Sequence, residues 1–183
     1  MIVKQTGLAG VVVVESQPFS DQRGFFMRLF CENELSIFWG DRQVIQINQS
    51  QTKSVGAVRG MHFQYPPYSE MKLVRCLRGK VWDVAVDLRA GSSNFLKWHA
   101  EELTPDNARM LVIPEGCAHG FQVLEENSEL LYMHTAPYTL SSEGGVPYDD
   151  PRLGIHWPLP VTDLSASDLA HLPITPDFLG III

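Results

Sequence analysis

Apolar and polar residues alternate in short runs as far as Thr135, and turn formers break the pattern about every ten positions. The β-branched run Val11 to Val14 lies between Gly10 and Ser16 and predicts an opening strand. Phe19 to Phe26 reads as a turn into a second strand. Val44 to Ser50 reads as a strand alternating apolar residues with amides, so Gln46 and Asn48 share a face that either meets water or lines a polar pocket. Val58 to Phe63 sets Val58, Gly60 and His62 on one side and Arg59, Met61 and Phe63 on the other. Gly60 predicts a bulge there that re-aims its neighbours and relieves the separation of Arg59 from His62.

Lys72 to Leu77 and Lys80 to Leu88 predict two more strands, with Arg78-Gly79 as a tight hairpin turn between them. In the second, Trp82, Val84 and Val86 share one face and Val81, Asp83, Ala85 and Asp87 the other. Strands over Lys97 to Leu103, Ala108 to Ile113, Gly120 to Leu124 and Glu129 to Thr135 follow, with His119 in the turn that opens the third of them. Only Glu32 to Trp39 looks helical early in the chain. Roughly ten short strands with almost no helix and no internal repeat predict an all-β sandwich or barrel. From Tyr138 the pattern dissolves into prolines and aspartates, which predicts an irregular arm laid over the core rather than a second domain. The apolar end Phe178 to Ile183 is expected to pack on its own body or on a second subunit.

Composition narrows the function more than the fold. At 183 residues the chain suits one domain with a sizeable core. Its formal net charge of -7 argues against duplex nucleic acid as the main partner, while leaving room for a small anion held by a few cations. Three cysteines without a CxxC pair suggest neither a zinc site nor a disulfide framework. The start of the chain has no secretory pattern and Val11 to Val14 is too short to span a bilayer, so a cytoplasmic protein without membrane contact is expected.

The chemistry concentrates around Val58 to Gln64 and Lys72 to Arg75, where a titratable imidazole, His62, lies close in sequence to Arg59 and Lys72. That set is either a base beside anion-binding cations or a core histidine beside surface charges. Arg23 and Phe26 likewise are either a phosphate clamp with a stacking ring or a surface arginine beside a core phenylalanine.

Gly60-Met61-His62-Phe63-Gln64 and Ile113-Pro114-Glu115-Gly116-Cys117-Ala118-His119-Gly120-Phe121 resemble the two motifs of the cupin jelly roll, a double-stranded β-helix. With Phe19 to Phe26, Gln46 to Ser50, Lys72 to Arg75, Asp83 to Arg89, Tyr132 with Tyr138, and Asp149-Asp150-Pro151, the chain is similar to the dTDP-4-dehydrorhamnose 3,5-epimerase family from Phe19 to Asp168. The resemblance implies a cofactor-independent isomerase inverting C3 and/or C5 of a nucleotide-linked 4-keto-6-deoxyhexose through an enolate. It implies His62 as base, Asp168 as the carboxylate that orients it, Tyr132 as acid on the opposite face and Lys72 at the enolate. It also implies Arg23 and Arg59 on the diphosphate, Gln46, Asn48, His119 and Glu143 as further contacts, and Tyr138 and Phe26 as stacking rings. A homodimer in which the Arg23 strand serves the partner's site comes with it. Arg28 and Ser167 depart from the family's usual residues, an acidic one and a Lys or Arg, at positions that touch the nucleotide-sugar.

The residue types suit that chemistry independently. Inversion beside a ketone needs a base on one face, an acid on the other and a cation at the oxygen, with no metal or redox cofactor. Two other readings stay open: a metal-dependent cupin isomerase or oxygenase with His62, Gln64, Glu70 and His119 as ligands, and a non-catalytic sugar-binding cupin.

Overall fold

The computed structural model describes residues 1–183. Two antiparallel sheets face each other. One holds β1 (Ile2–Gln5), β2 (Val12–Glu15), β10 (Arg109–Ile113), β7 (Lys72–Arg78), β12 (Ser128–His134) and β5 (Gln46–Thr52) in that spatial order. The other runs β13 (Glu143–Gly145), β6 (Val58–Gln64), β11 (Cys117–Val123), β8 (Val81–Asp87) and β9 (Trp98–Leu103). A separate hairpin, β3 (Phe19–Asp21) with β4 (Gly24–Phe26), belongs to neither. The sandwich is the all-β jelly roll that the resemblance implies, and the helix over Glu32–Trp39 (α1) forms as expected.

Period-2 alternation explains the layering. Val74, Cys76, Leu111 and Leu130 from the first sheet meet Val81, Ala85, Phe121 and Val123 from the second in the inter-sheet core. The outer face of the first sheet, with Leu73, Met110 and Met133, is covered by Leu35 and Trp39 of α1. The outer face of the second, with Met61, Phe63, Val84 and Val86, is covered by Val146, Leu153, Ile155, Ile174 and Ile181 of the C-terminal arm. The arm is therefore a structural lid on one sheet. It also carries β13 and a short helix, α2 (Ala166–Leu169), which its composition had hidden.

Three expectations need correction. β7 and β8 are not a hairpin: they lie in different sheets, and Arg78-Gly79 is a corner between them. Ser128 occupies that corner, its Oγ accepting the Lys80 N–H at 3.0 Å, and a Cβ on Gly79 would fall 2.4 Å from the same oxygen. β11 begins at Cys117, so His119 lies inside the strand rather than in the turn before it. Ile2–Gln5 is an edge strand paired with β2. The apolar terminus divides: Ile181 is buried and bridges Arg89, whereas Leu179, Ile182 and Ile183 are exposed.

Candidate active site

Followed toward one end, the inward faces of several strands change from apolar to polar without losing their alternation. On β12 the series is Leu130, Tyr132, His134; on β7 it is Cys76, Val74, Lys72; on β11 it is Val123, Phe121, His119. The inter-sheet space at that end opens as a cavity of about 580 Å³ lined by Asn48, Ser50, Arg59, His62, Lys72, His119, Tyr132 and His134 among others. A neighbouring hollow of about 310 Å³ shares Asn48, His62, Lys72 and His134 and adds Gln46, Tyr138 and Glu143.

Arg59 and His62 reach this space together because β6 is bulged. His119 pairs with His62 and Phe121 with Arg59, so two residues of β6, Gly60 and Met61, oppose the single Gly120. Gly60 has φ +127°, and a Cβ there would lie 2.5 Å from the Cα of Gly120. The paired motif glycines are thus where two backbones touch.

His62 Nε2 lies 2.6 Å from Asp168 Oδ1. Asp168 is buried on α2, and its second oxygen accepts from Ser165 Oγ at 2.7 Å while its N–H donates back to that hydroxyl at 3.0 Å. Burial acts to raise the Asp168 carboxyl, but the hydrogen bonds with His62 and Ser165 outweigh it and hold it below the usual aspartate value. An ionised carboxylate on one ring nitrogen directs the other, Nδ1, to carry the lone pair.

Tyr132 enters from the opposite sheet, with its hydroxyl 3.0 Å from Ser50 Oγ. Burial pushes its phenol well above the ordinary tyrosine range, so it is protonated at neutral pH. Lys72 Nζ donates to the His62 carbonyl at 3.3 Å and pairs with Glu70 at 3.1 Å. His119 Nε2 is 2.7 Å from Asp83 Oδ1, and Asp83 is fully buried; burial drives its carboxyl upward against the opposing pull of His119. Tyr138 donates to Glu143 at 2.8 Å, and its backbone N–H donates to Gln46.

Ten of the twelve sequence-derived site residues thus gather around this end of the sandwich. Arg23 and Phe26 do not. They line a separate hollow formed only by the β3–β4 hairpin, with Phe26 71% exposed and Arg23 held by Asp21. The reading of Phe26 as a core residue is overturned. The metal-cupin ligand set is not gathered either: the Gln64 amide donates to the carbonyls of Tyr68 and Pro137 and accepts from the Thr139 N–H, and Glu70 is taken by Lys72 and His134. Of the two departures, Arg28 pairs with Glu34 on α1, and Ser167 bonds Ser165 beside the dyad. Sequence reasoning missed His134 and Ser50 as parts of the site, and it placed Glu70 only in the metal-binding alternative. Ser50 and His134 stand at the same strand parity as Asn48 and Tyr132, which is the one signal that points to them.

The model of the family described as dTDP-4-dehydrorhamnose 3,5-epimerase matches residues 5–175. The chain belongs to that family. It is an isomerase, an epimerase of nucleotide-linked deoxysugars. It is 38% identical over 181 residues to the dTDP-4-dehydrorhamnose 3,5-epimerase of Sinorhizobium fredii, covering 96% of this chain and 93% of the relative. It is 41% identical over 172 residues to that of Salmonella typhimurium, covering 93% of each. Among solved structures, the dTDP-6-deoxy-D-glucose-3,5-epimerase of Legionella pneumophila in complex with dTDP-4-keto-L-rhamnose superposes with a TM-score of 0.92. It is 34% identical and spans 100% of this chain and 98% of that one. A 3'-monoepimerase from Streptomyces bikiniensis in complex with dTDP-quinovose has a TM-score of 0.86 at 29% identity, over 92% of this chain and 85% of that one. No helix is long and apolar enough to cross a membrane.

Proposed function

We propose that this epimerase inverts both carbons flanking the ketone of a dTDP-linked 4-keto-6-deoxyhexose, with His62 and Tyr132 acting from opposite faces of the sugar. The observation that carries the reading is that these two side chains enter one cavity from facing sheets, His62 backed by the buried Asp168 carboxylate and Tyr132 neutral. His62 Nδ1 takes the C–H proton, and the electron pair moves to the C4 oxygen as an enolate. Lys72 places its ammonium at that oxygen, and Asp168 stabilises the imidazolium as it forms. Tyr132 then delivers its proton to the opposite face of the same carbon, and both groups reset by exchange with solvent. The mechanism needs no metal or redox cofactor, because the acidity comes from the ketone.

On this reading Arg59 and His119 hold the diphosphate side, Gln46, Asn48 and Glu143 hold sugar and nucleoside, and Tyr138 stacks on the base. The hairpin supplies Arg23 and Phe26 to the site of a second copy. Its three phenylalanines, 70–75% exposed, and its own small hollow support that assignment. The 183 residues then work as one cupin domain per protomer, in the cytoplasm, where Cys31, Cys76 and Cys117 stay free thiols. Inversion at both carbons rests on the likeness to the Legionella pneumophila 3,5-epimerase, 34% identical with a TM-score of 0.92, against 29% and 0.86 for the monoepimerase. Deuterium wash-in at C3 and C5 with a panel of nucleotide-linked 4-keto-6-deoxysugars tests the whole reading. Label should enter both carbons of the dTDP sugar, and label confined to C3 would make this a monoepimerase.

A further inference from the structure

Beside the catalytic set lies a buried charged group to which no role has been given. Glu70 is 9% exposed and divides its carboxylate between two side chains of the cleft wall, Oε1 to Lys72 Nζ at 3.1 Å and Oε2 to His134 Nδ1 at 2.7 Å. Burial would raise its carboxyl, but the His134 hydrogen bond and the Lys72 charge outweigh it and hold it ionised. An ionised carboxylate accepts only, so His134 carries a proton on Nδ1 and turns Nε2 outward. That nitrogen lies 3.4 Å from Asn48 Nδ2, in the wall shared by the two hollows, and the His134 ring stacks on Tyr132 with centroids 6.1 Å apart.

A lysine on a four-carbon stem is free to swing unless something holds it, and enolate stabilisation requires its charge at one point. Here the holder is itself held by a second ring of the same wall. We propose that Glu70 is a positioning residue for the epimerisation, fixing Lys72 at the enolate oxygen and holding the His134 ring against Asn48 in the same wall. The inference rests on the assignment of Lys72 as the enolate stabiliser. It deepens that assignment by making Lys72 one end of a three-residue unit.

The test uses the full chain, the dTDP-4-keto-6-deoxysugar substrate and free dTDP, with Lys72→Met, Glu70→Gln, His134→Asn and the Glu70→Gln/Lys72→Met double variant. Glu70→Gln keeps the shape and removes the charge. It should lower kcat for deuterium exchange about tenfold or more, with KM and dTDP affinity within about threefold. In the Lys72→Met background the same change should cost less than about twofold, because residues acting as one unit are not additive. Unchanged kcat in Glu70→Gln, or full additivity in the double variant, overturns the proposal while leaving Lys72 in place. Wild-type exchange in Lys72→Met instead sinks the underlying assignment and the proposal with it. Should Glu70→Gln fail to fold, His134→Asn decides: a fall in kcat with dTDP affinity retained supports the unit, and an unchanged kcat overturns it.

Discussion

In the cleft between the sheets the groups that bear on chemistry are held by partners from distant parts of the chain: His62 by Asp168, Tyr132 by Ser50, His119 by Asp83, and the Glu70 that pairs with Lys72 by His134. On the β3–β4 hairpin, Arg23 is held only by its near neighbour Asp21, and Phe19, Phe25 and Phe26 stand 75, 70 and 71% exposed. Both regions combine cations with aromatic rings. The cleft's catalytic groups are finished by their own chain because two packed sheets surround them. An eight-residue hairpin has no core, and an isolated two-stranded hairpin is at best marginal in water, so its apolar surface calls for a second surface.

The largest expected effect lies on the finished side. His62→Asn should cut exchange of the sugar C–H with solvent deuterium by about 10⁴-fold, the upper end of what a positioned base contributes, while leaving dTDP affinity nearly unchanged, since the phosphates are held elsewhere. NMR of the recovered sugar and calorimetry with dTDP measure the two; exchange at the wild-type rate removes His62 from the mechanism. Tyr132→Phe comes next. Net inversion should fall about 10²–10⁴-fold with exchange partly retained, because base and oxygen stabiliser remain. If exchange and inversion fall together, Tyr132 acts before the enolate forms and the acid must be sought at Tyr138 or a bound water.

Arg23→Ala sharpens the comparison from the unfinished side, with an expected loss of about tenfold in kcat/KM from one phosphate contact. Mixed with His62→Asn and allowed to exchange subunits, it should regain about a quarter of wild-type activity, because half of each mixed dimer is then intact. Activity no greater than the sum of the two variants would place the hairpin over its own site. The smallest effect is on stability. A carboxyl depressed on folding, as Asp168 is, stabilises fully above its unfolded value of about 3.9 and loses that contribution as pH falls through the lower folded value. Asp168→Asn should therefore flatten the decline of stability below about pH 4 in urea melts. An unchanged acid limb would show that the pair serves catalysis alone.

The sequence by itself determined where most of the strands lie, which of their residues share a face, the bulge at Gly60, and membership of the family. Alternation is written into each strand by the pleat, and the motif residues sit on those strands. It did not determine what each face meets. The same Arg78-Gly79 turn chemistry serves a hairpin and a corner between sheets, and only the packing of Ser128 against Gly79 selects the corner. His62 and Asp168 are 106 residues apart, and their contact exists because the arm's Val146, Leu153 and Ile155 dock on the outer face of the second sheet. Glu70 and His134 were illegible as a pair for the same reason. Their separation of 64 residues is closed by the pairing of β7 with β12, which sets His134 opposite Lys72. Local pattern fixes orientation; long-range pairing chooses the neighbour, and the chemistry of this site depends on the neighbour.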